Sequence, residues 1–113
     1  MYKTVLVSAD IAGGRRVVDE LEKIMQISAA FWFYREEDDE WKLVIVTPEL
    51  VNQGPINLYT KIAVILNNLS VDAPDPVQMS LSTVTLTNQH SPTYQRVKQF
   101  GEAFGDAHIY KLT

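Results

Sequence analysis

Two apolar segments separated by a short charged run are the feature that most restricts the fold of this chain. Residues 27–34 read ISAAFWFY and residues 41–47 read WKLVIVT. Both have the length of a strand, and both are rich in the aromatic and β-branched residues that favour strands. The residues between them, REEDDE, are all charged. The sequence therefore predicts a β-hairpin with an acidic turn.

The first of these segments is apolar on both sides. Successive side chains of a strand point to opposite faces of a sheet, and neither set in residues 27–34 is polar. A small protein must then cover both faces with its own helices or with another chain, since an uncovered apolar patch normally marks an interface. We therefore expect Trp32, Tyr34 and Trp41 to contribute to an interface with a partner protein or with a second copy.

The rest of the chain alternates between helical and extended patterns. Apolar residues recur at helical spacing over three segments, about 10–26, 55–69 and 91–102. The apolar residues of the second segment cover a wide arc of the helix surface, which predicts burial on more than one side. Further strands are expected at residues 3–7, 79–87 and in the AHIYKLT sequence at 107–113.

This order of elements predicts the α+β class. We expect one domain over residues 1–113, with a mixed sheet around the central hairpin and helices packed largely on one face. The loop before residue 79 is long enough for a crossover, which allows one parallel strand pair.

The hairpin also offers a possible catalytic motif. Glu40-Trp41-Lys42 has the E-x-K form that magnesium-dependent nucleases place on a strand, and a preceding helix carries Glu20. Two carboxylates would hold the ion while the lysine stabilises the phosphate or the attacking water. The strand interiors beside these residues lack carboxylates, so a solvated turn that keeps the hairpin soluble is the favoured interpretation. The nuclease is the alternative.

A second alternative lies at ADIAGGRR, residues 9–16. If a helix begins here, the backbone N–H groups of Gly13 and Gly14, with Arg15 and Arg16, form a candidate site for phosphate or a nucleotide. The run matches neither established glycine-rich phosphate motif. Close packing of the glycines against another element is the favoured interpretation.

Composition restricts the function classes further. The chain has no cysteine, which excludes disulfides and thiolate metal sites and fits a cytoplasmic location. Its net charge is −4, so we do not expect nucleic acid as a partner. No apolar run is long enough to span a membrane and no secretory signal is evident. The two histidines, His90 and His108, are far apart, and we expect no metal and no cofactor.

A set of dispersed residues resembles a group of small bacterial proteins of similar length. The resemblance covers residues 10 to about 66, with an extra glycine at position 13, and is carried by Asp10-Ile11, Gly14-Arg15, Leu21, Ala30-x-Trp32-x-Tyr34, Trp41-x-Leu43-x-Ile45, Pro48, Gly54-Pro55 and Tyr59. It implies a compact, soluble bacterial protein and no particular activity. The leading hypothesis is a non-enzymatic module that acts by protein contact or by forming a homo-oligomer.

Overall fold

The computed structural model describes residues 6–72, 75–100 and 107–112. These residues form four α-helices and a four-stranded mixed sheet, which confirms the predicted α+β class. In chain order the elements are α1 (Ser8–Glu22), β1 (Ala29–Arg35), β2 (Glu40–Val46), α2 (Glu49–Gln53), α3 (Pro55–Ser70), β3 (Val84–Thr87), α4 (Pro92–Phe100) and β4 (Ala107–Leu112).

The sheet is built around the predicted hairpin. Its strand order is β3-β2-β1-β4, and β1 runs antiparallel to both β2 and β4. The crossover through α3 brings β3 alongside β2 in parallel, with Leu43 opposite Val84 and Val46 opposite Thr87. The parallel pair that the long loop allowed is therefore present, and the C-terminal strand joins the main sheet.

Helices cover both faces of the sheet, unequally. α1 and α3 pack side by side on the face that presents Ala30, Trp32, Leu43 and Ile45, and they contribute Val17, Val18, Leu21, Leu58 and Ile62 to that core. Among the described helices, α4 is the one on the other face, where Tyr94 and Val97 pack on Phe31 and Val44. Two of the three longer helices thus share a face. Successive side chains of β1 point to opposite faces, and because helices cover both faces, both sets of side chains are apolar.

The boundaries of several elements differ from the sequence prediction. α1 ends at Glu22 rather than near residue 26, because the chain must turn before Ser28 donates its N–H to the carbonyl of Val46. Of the strand expected at 79–87, only Val84–Thr87 pairs in the sheet, and a 3₁₀ turn precedes it. The hydroxyl of Ser80 lies 2.8 Å from that of Ser82, and such local hydrogen bonds compete with strand pairing.

Two predictions extend beyond the described residues. The strand expected at residues 3–7 lies mainly outside them, as does the end of the helix expected at 91–102. In the part of the chain that the structure describes, no helix combines the length and the apolar character needed to cross a membrane.

Candidate functional site

The aromatic face of the hairpin is covered within the chain. Trp32 is only 3% exposed and Tyr34 only 8%, and Trp41 is half-buried against the same core. The ring of Tyr34 packs on that of Trp41 with centroids 5.6 Å apart, as expected for a cross-strand pair. Little of the Trp32 and Tyr34 side chains is left for a partner, because Gly14 of α1 and Tyr110 of β4 lie against Trp32 and Trp41 packs on Tyr34. A role of these aromatic residues in an interface stays a prediction.

Two linked hydrogen bonds hold α1 and β4 against Trp32. The indole N–H of Trp32 donates to the hydroxyl of Tyr110 at 2.8 Å, and this hydroxyl donates to the carbonyl of Ile11 in α1. The guanidinium of Arg15 lies 5.7 Å from the centre of the Tyr110 ring. Burial raises the pKa of Tyr110 above its ordinary value of 10.0, against the lowering effect of the Trp32 hydrogen bond.

The two glycines of α1 serve close packing rather than anion binding. Gly13 and Gly14 lie in the middle of Ser8–Glu22, so their N–H groups belong to the helical hydrogen-bond ladder and not to a free helix start. A Cβ on Gly14 would come within 2.8 Å of Trp32 Nε1 and closer still to the Tyr110 hydroxyl. The helix predicted from about residue 10 begins at Ser8, so the glycines do not form a helix start.

The two arginines after the glycines already have acidic partners. Arg15 pairs with Asp19, and the hydrogen bond between them raises the pKa of Arg15, so its charge is retained. Arg16 reaches across to the carboxylate of Asp72 and the backbone carbonyl of Asp75. The first contact lies within α1, and the second connects α1 to the loop after α3. Neither contact assembles a phosphate site.

The E-x-K residues do not converge with the helix carboxylate. Lys42 alternates with Leu43 along β2 and so belongs to the α4 side of the sheet, whereas Glu20 lies on α1 on the opposite side. Lys42 Nζ is held by Glu40 and by the carbonyl of Ser82, each at 3.0 Å, while Glu20 pairs with Lys23.

The described residues offer no other grouping for a metal ion. Glu40 lines a shallow surface depression together with Asp10 and Asp39. Even so, within residues 6–72, 75–100 and 107–112 no three His, Asp or Glu side chains are grouped closely enough to hold a cation. The geometry that the nuclease alternative requires is therefore missing from this part of the chain.

The acidic turn is solvated, as the favoured interpretation held. Arg35 pairs with Glu37 at 3.5 Å and with Asp38 at 3.2 Å, and all three side chains are largely exposed. Asp39 adopts a positive φ of 51°, and its carboxylate accepts a hydrogen bond from the hydroxyl of Tyr34. An aspartate tolerates this left-handed conformation better than most residues, which explains its place in the turn.

One surface that remains open to solvent is the outer side of α3. Ile56, Thr60, Val64 and Asn67 lie on one side of this helix, are all exposed and carry no charge; we call them the α3 outer face. Ile56 is 81% exposed and Val64 is 56% exposed. Lys61, the sole charged residue of α3, is half-buried, and its Nζ binds Gln53 at 2.6 Å.

A second open feature is a groove beside α4. The groove forms because α4 covers only part of the sheet face on which it packs. The α4 groove has a volume of about 610 Å³, and its lining includes Phe33, Val44 and Thr85 from the sheet, Arg35 and Lys42 at one side, and Ser91, Thr93 and Arg96 from the start of α4. It combines an apolar floor with hydroxyl groups, three cationic side chains and the carboxylates of Glu36 and Glu37.

Neither surface was identified from the sequence. The exposed uncharged side of α3 had a signal in its wide apolar stripe, which predicted burial on more than one side. The groove had none, because Phe33, Thr85 and Arg96 come from three segments whose proximity depends on the strand order. Tyr110 was missed for the same reason, since it contacts α1 only through the pairing of β4 with β1.

Comparison with models of protein families, with curated proteins and with solved structures finds no match for this chain. The resemblance to a group of small bacterial proteins thus stays a prediction from the sequence.

Proposed function

We propose that this chain is a small non-enzymatic contact module that associates with a second copy of itself through the α3 outer face. The observation that carries the proposal is the exposure of Ile56 and Val64 on a helix side without charge. Large apolar side chains on one side of a helix gain free energy when another surface removes them from water.

The absence of charge favours a second copy as the partner. In a two-fold symmetric dimer the same patch faces itself, so a face that carries net charge would repel its copy. α1, which packs beside α3, has the opposite character: its exposed side carries Arg15, Asp19 and Glu22. The charged residues thus favour solvation of the exposed side of α1, whereas the α3 outer face can pack against the same face of a second copy.

The expected dimer is weak. Complete burial of a fully exposed valine or isoleucine contributes about 1.5–3 kcal/mol, and each copy offers two such side chains, one of them already half-covered. Association itself costs about 4–15 kcal/mol in lost freedom of motion. The two terms nearly balance, so we expect association that depends strongly on protein concentration, as in small transient interfaces.

Sedimentation equilibrium over a wide range of protein concentration tests the proposal. The weight-average mass should rise from that of one chain towards that of two. Val64→Lys should hold the protein at the mass of one chain, because it places two like charges against each other in the dimer.

Ala12→Lys is the matched control. It introduces the same charge on the exposed side of α1, and there it should leave the association unchanged. A wild-type protein that keeps the mass of one chain at millimolar concentration would contradict the proposal. Equal effects of the two lysines would also contradict it, because they would point to net charge rather than to the α3 outer face.

The cellular setting is a further part of the proposal. We infer a bacterial, cytoplasmic protein from its cysteine-free composition and from the resemblance described above. A heterologous protein partner on the same face is the second candidate, favoured by the same exposed side chains. It predicts that Val64→Lys abolishes binding of that partner.

A further inference from the structure

We propose that the α4 groove binds a small organic acid, a carboxylate attached to an apolar or aromatic body. The groove combines the two features that such a ligand needs. Its floor contains the half-buried ring of Phe33 and the buried side chain of Val44, and its sides carry Arg35, Lys42 and Arg96.

The size of the groove suits a small molecule. Ligand sites in proteins usually enclose about 300–1,000 Å³, and this groove measures about 610 Å³. It is open along one side, because α4 packs on Phe31 and Val46 and leaves the neighbouring Phe33 only half covered. A flat aromatic body lying on Phe33 would complete the cover of that ring.

The distribution of charge favours an anion. The chain has a net charge of −4, yet three of its ten basic residues come from β1, β2 and α4 to border this one groove. Glu36 and Glu37 also line it, Arg35 already contacts Glu37 and Asp38, and Lys42 already contacts Glu40. A guanidinium has five N–H donors and holds carboxylates in a two-pronged geometry, so an arginine can accept a further carboxylate beside these partners.

Uncharged donors lie along the same surface. The hydroxyls of Thr85, Thr87, Ser91 and Thr93 belong to residues that line the groove. Ser91 also caps α4 by accepting the N–H of Tyr94 at 3.3 Å, which fixes the position of this helix start against the sheet. A carboxylate at the rim would therefore meet cations and hydroxyl donors together, while its apolar body lies over Phe33 and Val44.

This site is independent of the proposed dimer. The groove lies on the α4 side of the sheet and α3 packs on the opposite side. A failure of one proposal therefore leaves the other intact, and the two experiments use different variants.

The test compares two probes of the same shape, 2-naphthoate and its neutral amide, 2-naphthamide. Binding is followed by shifts of the backbone amide signals in ¹⁵N–¹H correlation spectra. We expect 2-naphthoate to bind with a dissociation constant on the order of 1 mM, as suits a ligand of this size in an open site. The amide should bind about three- to tenfold more weakly. The shifted signals should include those of Phe33, Thr85 and Thr93.

Two variants separate a specific site from general attraction. Arg96→Gln should weaken binding of 2-naphthoate about three- to tenfold, whereas Arg15→Gln, which removes the same charge from the outer side of α1, should leave it unchanged. No saturable shift up to 10 mM 2-naphthoate, on the order of tenfold above the expected constant, would overturn the proposal. Shifts centred away from the groove, or equal binding of acid and amide, would overturn it as well.

Discussion

The adjacent glycines of α1 give a matched pair of substitutions whose effects on stability should differ in sign. Either change to alanine replaces a glycine inside a helix and so contributes about 1 kcal/mol through helix propensity. The surroundings differ. A Cβ on Gly13 would meet a methyl group of Val77 at 3.2 Å, whereas one on Gly14 would lie 2.8 Å from Trp32 Nε1 and 3.0 Å from Tyr110 Cζ.

The expected magnitudes follow from these contacts. Gly14→Ala must displace Tyr110, which breaks the hydrogen bonds from Trp32 to Tyr110 and from Tyr110 to Ile11. Two partly buried hydrogen bonds of about 1–2 kcal/mol each outweigh the propensity gain, so the free energy of unfolding should fall by about 1–3 kcal/mol. For Gly13→Ala the valine side chain needs to move only a few tenths of an ångström. We expect that variant to be between unchanged and about 1 kcal/mol more stable than the wild type.

Urea unfolding followed by circular dichroism measures both variants, and thermal unfolding should place Gly14→Ala roughly 4–12 °C below the wild type. The double variant Gly14→Ala/Tyr110→Phe should be less destabilised than the sum of its single changes, because the phenylalanine removes the oxygen nearest to the new methyl group. If Gly14→Ala proves as stable as Gly13→Ala, that result would refute the assignment of Gly14 to close packing against Trp32 and Tyr110.

Three further predictions concern polar groups. Because the pKa of Tyr110 is raised by burial, the folded chain keeps that proton above pH 10.0 while the unfolded chain loses it, so the free energy of unfolding should decrease as the pH rises from 10.0 towards the folded pKa. Tyr110→Phe should remove this extra slope in urea unfolding at alkaline pH, and an unchanged slope would contradict the effect. Thr47→Val should lower the free energy of unfolding by about 1–3 kcal/mol, because the fully buried hydroxyl of Thr47 donates to the carbonyl of Gln26 at 2.6 Å and accepts the N–H of Glu49 at 3.1 Å. Asp19→Asn breaks an exposed pair with Arg15 and should cost under about 1 kcal/mol in the same assay; a loss as large as that of Thr47→Val would count against this ranking.

The hairpin and the fold class were predictable because their signals are local. An apolar segment on each side of a charged run specifies two paired strands, and the observed register places Tyr34 opposite Trp41 as that reading requires. The helix over Pro55–Ser70 was likewise predictable from its periodic apolar residues and from the proline at its first position.

The candidate sites could not be predicted in the same way. Whether Trp32 is covered depends on Tyr110, which follows it by most of the chain and reaches it only because β4 pairs with β1. Close packing of Gly13-Gly14 was open as an interpretation, but the sequence could not say against what: the space at Gly14 is required by Trp32 and Tyr110, and that requirement outweighs the helix propensity lost at glycine. Contacts of this kind depend on the strand order, and no local pattern in a single sequence predicts them.

The strand order has a consequence for how this protein is made. β1 is an inner strand, but its neighbour on one side, β4, follows it by about 70 residues and comes after every other described element. While the ribosome is still adding residues 92–106, the hairpin and α1 are already outside, and the β4 side of β1 exposes unpaired N–H and C=O groups together with the indole of Trp32. Tyr110 arrives only with β4, so the nascent chain passes through a stage at which an aromatic strand edge is open to neighbouring chains. Rapid synthesis of many copies should therefore increase aggregation, and chaperones that bind apolar strands should engage this protein before β4 pairs with β1.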